Sequence, residues 1–123
     1  MYEISVKSKF DAAHQLRNYS GKCANIHGHT WDLEVYLKGT TLNEQGMLID
    51  FSDVKEYLNV VITKYDHRFI NEVAPFDVIN PTAENLAFEI YNSLKCSLPT
   101  NVTLAKVIVW ESPNASATYS EEC

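Results

Sequence analysis

The chain has 123 residues, 46% apolar and 21% charged, the size and make-up of one globular domain (1–123) with a modest core. Its formal net charge is −6 and no Lys/Arg cluster runs along any segment, which excludes nucleic acid as the main partner. No apolar run approaches transmembrane length, the start at Met1 lacks signal-peptide regions, and three cysteines without framework spacing imply no disulfides; the expectation is a cytoplasmic protein with no membrane contact.

Tyr2, Ile4, Val6 and Phe10 alternate with Glu3, Ser5, Lys7 and Lys9, so the first segment reads as a strand with one wet face, ending near His14. Residues 15–26, with Asn18, Ser20, Gly21 and Asn25, read as a loop. A second strand begins at His27, where Trp31, Leu33, Val35 and Leu37 alternate with Asp32, Glu34, Tyr36 and Lys38; Gly39 to Gly46 forms the turn. Asp50 or Ser52 caps a helix running to about Tyr65, with the stripe Val54, Tyr57, Leu58, Val61, Ile62 and Tyr65. A second helix starts at its cap, Thr82, carries Glu84 in its first turn, and buries Leu86, Ala87, Ile90, Tyr91 and Leu94. Residues 102–110 and 115–119 complete a ββααββ order. This is an α+β domain, an antiparallel sheet with two helices on one face. The other face should be partly apolar and so favour oligomerisation.

The stretch Lys22-Cys23-Ala24-Asn25-Ile26-His27-Gly28-His29 concentrates the chemistry. His27 and His29 stand two apart, so on extended backbone both imidazoles leave the same face. With His14 from the neighbouring strand they make a three-nitrogen zinc site with its fourth position open. Cys23 either closes that site as a fourth ligand or stands beside it as a reactive thiolate, and spacing does not choose. Gly28 keeps the site uncrowded. Because His27 and His29 share the parity of buried Trp31, a twist or bulge near Gly28 is expected to expose them. Asp66-His67 reads either as an acid/base pair or as a helix-end histidine beside a solvated acid. Glu111, ending an apolar strand, suits an amidine-like edge or simply reaches solvent. Arg17 and Lys22 are the cations flanking the cysteine stretch, available to an anionic ligand or merely solvated.

Six segments taken in order, Phe10-Asp11-Ala12-Ala13-His14, residues 22–29, Met47-Leu48-Ile49-Asp50-Phe51, Asp66-His67, Pro81-Thr82-Ala83-Glu84-Asn85 and Trp110-Glu111-Ser112, resemble the 6-pyruvoyl-tetrahydropterin synthase family. Three residues separate Cys23 from His27, which resembles the 6-carboxytetrahydropterin synthase branch of the queuosine pathway more than the animal pyruvoyl synthases. Ala24 and Asn25 stand where a hydroxymethyl-forming branch carries a glutamate. The resemblance implies a tunnelling fold whose sheets close into a barrel in a trimer, two trimers stacking as a hexamer. It implies zinc (Zn2+) on His14, His27 and His29, Cys23 as catalytic thiolate, and Asp66 and His67 as a proton-handling dyad from another subunit. Glu111 would anchor the pterin with Thr82 and Glu84, while Arg17 and Lys22 are assigned to the triphosphate by charge alone. The implied reaction converts 7,8-dihydroneopterin triphosphate to 6-carboxy-5,6,7,8-tetrahydropterin. The alternatives are a pyruvoyl synthase, a zinc hydrolase, and a non-catalytic oligomeric module with a structural zinc.

Overall fold

The computed structural model describes residues 1–21 and 24–121. Strands β1 (Tyr2–His14) and β2 (His27–Gly39) form a long antiparallel pair, followed by α1 (Phe51–Ile62), β3 (Arg68–Phe69), α2 (Ala83–Lys95), β4 (Thr103–Ser112) and β5 (Ala115–Tyr119). The sheet order is β3-β1-β2-β4-β5. The expected α+β architecture is present, with a fifth strand added. β3 contributes two residues, pairing in parallel with Ala12 and Ala13, and is too short to leave a period-2 pattern.

Alternation places Val6, Phe10 and Ala12 of β1 and Trp31, Leu33, Val35 and Leu37 of β2 on the helix-covered face, where all are buried. The helices lay Val54, Leu58, Val61 and Ile62, and Leu86, Ile90 and Leu94, on that surface. Asp50 caps α1 by accepting from the Ser52 N–H at 2.8 Å, and Thr82 caps α2 by accepting from that of Asn85 at 3.1 Å. α1 stops at Ile62, short of Tyr65. The Thr63 hydroxyl bonds the Asn59 carbonyl, and Lys64 and Tyr65 donate three residues back, tightening the chain into a turn that still buries Tyr65. Gly39 ends β2 where a Cβ would stand 2.8 Å from the Asn101 carbonyl oxygen, so a side chain there would force the backbone apart.

One expectation is corrected. There is no bulge at Gly28: the β1–β2 register runs unbroken from Tyr2↔Gly39 to His14↔His27. The histidines lie at the strand ends, His14 buried and His27 and His29 part-exposed, and irregularities fall instead between Tyr36 and Leu37 in the β2–β4 pairing and at Glu111, between the Trp110 and Ser112 pairings of β4 with β5. The uncovered face is partly apolar as expected, carrying Tyr36, Ile108 and Trp110 among polar residues. Glu3, Ser5, Lys7 and Lys9 alternate outward on β1, and Glu34, only 9% exposed, accepts hydrogen bonds there from Trp110 Nε1 and Tyr36 Oη, each at 2.9 Å. Among the described residues, no helix is long and apolar enough to cross a membrane.

Candidate active site

The regular register brings His14, the last residue of β1, opposite His27, the first of β2, with His29 one pleat further along the same face. The His14 ring centroid lies 4.5 Å from that of His27 and 5.2 Å from that of His29, and Trp31 forms the floor at 4.8 Å from His14. Backbone carbonyls orient two of the rings. His14 Nδ1–H donates to Pro81 O at 2.7 Å and His27 Nδ1–H to Asn25 O at 2.7 Å. A carbonyl only accepts, so each ring carries its hydrogen on Nδ1 and leaves Nε2 as a bare lone pair. Yet the two Nε2 atoms stand 2.9 Å apart. Two lone pairs at that distance repel unless a cation lies between them.

The third ring points the same way. His29 Nε2 is buried without a hydrogen-bond partner, although Glu111 Oε1 lies 3.1 Å away, so that approach lacks hydrogen-bond alignment. The same oxygen is 3.2 Å from His14 Nε2. Glu111 reaches the cluster because, one past outward-facing Trp110, it shares the inward parity of Val107 and Val109. His14, His27, His29 and Glu111 offer donor atoms within 4.8 Å of one another. Three imidazole nitrogens and a carboxylate oxygen form a donor set suited to zinc. Burial pushes His14 and His29 below the ordinary imidazole value, keeping them in the neutral form a metal requires.

Asp66 and His67 are built differently. His67 adopts the left-handed conformation, φ 58°, and its N–H donates to Asp11 O at 2.6 Å, while the Asp11 N–H donates to Asp66 Oδ1 at 3.0 Å. The edge of β1 thus grips both residues of the pair through the backbone of one residue. That bond from Asp11 is the main reason the Asp66 carboxyl is held below its ordinary range, and His67 Nδ1 lies 3.1 Å from Asp66 Oδ1. Thr30 donates across the strands to the Asp11 carboxylate. Asp11, Gly28 and Thr30 face away from the core, and with His29, His67 and Arg68 they line a shallow depression that Gly28 helps keep open. The side chains of the histidine cluster and of the Asp66–His67 pair form two separate groups, the first around inward-facing His14 and the second around outward-facing Asp11.

The remaining candidates divide. Thr82 and Glu84 begin α2 directly after Pro81, whose carbonyl orients His14, so that helix end abuts the cluster; Thr82 is half-buried as cap and Glu84 is exposed. The Arg17 guanidinium donates to the carbonyls of Ile79, Asn71 and Phe76, at 3.1, 3.4 and 2.6 Å, and so is committed to holding that loop. Lys22 and Cys23 lie outside the described residues. Sequence reasoning missed Gln15 and Asn71. Asn71 exchanges two hydrogen bonds with the Gln15 backbone, and Gln15 Nε2 donates to Ala24 O at 2.8 Å, fixing the residue after Cys23. Carbonyl partners such as Pro81 and Asn25 leave no side-chain signal at all.

Fold and donor set together define a two-layer α+β protein with a histidine–carboxylate metal centre as its candidate site. The sequence model of the 6-pyruvoyl tetrahydropterin synthase family matches residues 3–122. The chain belongs to that family of pterin-processing enzymes. It is 33% identical over 143 residues to 6-carboxy-5,6,7,8-tetrahydropterin synthase of Haemophilus influenzae, covering 98% of this chain and 100% of that protein. It is also 33% identical over 108 residues to dihydroneopterin monophosphate aldolase of Pyrococcus furiosus, covering 88% of each. The solved 6-pyruvoyl tetrahydropterin synthase of Caenorhabditis elegans superposes with a TM-score of 0.88 at 30% identity, covering 98% of this chain and 96% of that one.

Proposed function

We propose that this protein is a zinc-dependent 6-carboxytetrahydropterin synthase of queuosine (7-deazapurine) biosynthesis, working in the cytoplasm as a hexamer. It would convert 7,8-dihydroneopterin triphosphate and water to 6-carboxy-5,6,7,8-tetrahydropterin, acetaldehyde and triphosphate. The observation that carries the reading is the His14–His27–His29 cluster, with two bare Nε2 atoms facing each other, in a protein matched over its length by a relative of that name. Zinc held by these residues supplies a Lewis-acid centre for the oxygens of the substrate side chain.

The protein's own residues supply the rest. His14, His27 and His29, with Glu111 beside them, offer donors without sulfur, which supports Cys23 as a free thiolate that removes a carbon-bound proton from the substrate. His67 relays protons to and from the pterin ring. Asp66, kept ionised by the Asp11 N–H, orients it and stabilises its charged form. Glu111 accepts the paired N–H donors of the pterin edge, with Thr82 and Glu84 beside it. Lys22 meets the triphosphate, and Arg17 acts through the loop it holds. Internal reduction of the ring balances oxidation of the substituent at C6, so no external redox cofactor enters. The separation of cluster and dyad into two groups within one subunit supports a site assembled from two subunits, which the barrel and the stacking of two trimers would provide.

Incubation with 7,8-dihydroneopterin triphosphate should yield acetaldehyde and the 6-carboxy product by mass. A pyruvoyl product would move the protein to the activity named for the Caenorhabditis relative. A hydroxymethyl pterin would move it to aldolase chemistry, the reading the Pyrococcus relative favours.

A further inference from the structure

Among the described residues, no ladder pair holds Glu111. The pairing of β4 with β2 ends at Asp32↔Trp110, and its pairing with β5 steps from Trp110↔Ser116 to Ser112↔Ala115 across the bulge. The carboxylate nevertheless reaches a defined place, 3.1 Å from His29 Nε2 and 3.2 Å from His14 Nε2. The backbone at 111 is therefore set by its two neighbours. Ser112 is closed by the turn to β5, where its hydroxyl accepts from the Asn114 N–H at 3.2 Å. Trp110 is fixed from the uncovered face, where its indole Nε1–H donates to Glu34 Oε1 at 2.9 Å. A carboxylate that is only 9% exposed is unfavourable unless its oxygens are engaged, and here both are. Oε1 takes the indole and Oε2 the Tyr36 hydroxyl, while Lys7 Nζ, opposite Glu34 in the β1–β2 register, stands 3.8 Å from Oε1. The indole bond thus ties β2 to the end of β4 just where the ladder gives out.

We propose that Glu34 is a positioning residue for Glu111: by holding the Trp110 indole on one face of the sheet, it fixes the backbone that aims the Glu111 carboxylate on the other. Consecutive side chains on extended backbone leave opposite faces, so a rotation of the strand that releases one swings the other. A misplacement of about 1 Å in a group that orients substrate costs on the order of 100-fold. The role rests on the reading of Glu111 as the pterin anchor given above.

The test measures the affinity of unsubstituted pterin, the ring alone, for the full-length protein and a set of variants by the fluorescence of the ring. Glu111→Gln should weaken binding at least about 10-fold. Glu34→Ala and Trp110→Phe should each cause a similar loss, and the double variant should be no weaker than either, because both changes remove one bond. Glu34→Gln keeps an acceptor for the indole and should stay within about 3-fold of the parent. Tyr36→Phe removes the other 2.9 Å bond to Glu34 but leaves that of the indole, so it should bind like the parent. Parental affinity in Glu34→Ala or Trp110→Phe, beside a weakened Glu111→Gln, overturns the proposal. Equal losses in Tyr36→Phe and Trp110→Phe overturn it as well, since they report a general loosening of that face. A parent that does not bind pterin, or a Glu111→Gln variant with parental affinity, overturns the pterin reading of Glu111 and this proposal with it. If Glu34→Ala fails to fold, Trp110→Phe against Tyr36→Phe decides alone.

Discussion

His14 and His67 are both held by β1, yet His14 is 1% exposed and the His67 side chain 78%. The first sits over Trp31 with its Nδ1 tied to a carbonyl and its Nε2 turned inward. The second stands on a left-handed backbone at the sheet edge, beside an ionised carboxylate. The contrast fits the tasks proposed for them. A group that binds a cation must be neutral, dry and fixed in tautomer, and burial achieves all three. A group that moves protons must exchange with substrate and solvent, so it is oriented by hydrogen bonds and left open.

The difference can be broken most severely on the buried side. His14→Ala removes a ligand from the cluster, and changes to mere supporting partners of such ligands already cost about 10–100-fold in metal affinity. Zinc affinity should therefore fall by more than about 100-fold, with turnover lost, and the cavity should lower thermal stability. Zinc per subunit after dialysis against a mild chelator checks it; full occupancy would remove His14 from the site. Cys23→Ala should behave in the opposite way, retaining zinc and stability while turnover falls by about 10²–10⁴. Loss of metal and fold together would make Cys23 a structural ligand. Asp66→Asn should lower turnover while leaving zinc content and melting temperature at parent values, because both groups of the pair are solvent-accessible. A drop in zinc content would couple the two regions within one subunit.

A pH experiment sharpens the contrast on the metal-free protein. Burial lowers His14 and His29 in the folded state, so the unfolded protein binds more protons than the folded one as pH falls. The stability they contribute is complete above the unfolded value of about 6.5 and is lost as pH falls through the lower folded values. The urea midpoint of chelator-treated protein should drop between pH 7.5 and 5.5, and His14→Phe should reduce the drop. Gly28→Ala should have the smallest effect. An added Cβ there meets only Ala12 O, at 3.9 Å, so stability should change by less than about 0.5 kcal/mol in a denaturant titration.

Residue spacing made the histidine cluster legible, because period-2 backbone puts His27 and His29 on one face whatever the rest of the protein does. The same parity made their accessibility look like a problem needing a bulge, since sequence does not say where helix cover over a strand stops. Glu111 was legible as an oddity, a carboxylate ending an apolar strand. Its place against His14 and His29 depends on the β2–β4 register and on an extra residue at 111, neither of which is written locally. The β3 pairing and the grip of Asp11 on Asp66 and His67 use the β1 backbone across 55 or 56 positions, and they leave no local side-chain pattern. The polar part of the uncovered face was readable in the alternating Glu3, Ser5, Lys7 and Lys9, whereas its apolar part, Ile108 and Trp110, depends on the β2–β4 register.

The central claim is that cluster and dyad, two separate groups within one subunit, serve one reaction across a subunit boundary. Co-refolding Cys23→Ala with His67→Ala and assaying turnover of 7,8-dihydroneopterin triphosphate tests it directly. Each variant alone should be inactive, and the hybrid should regain a fraction of parental activity, because some interfaces unite an intact half from each parent. Hybrid oligomers confirmed by mass and still inactive would contradict the shared site.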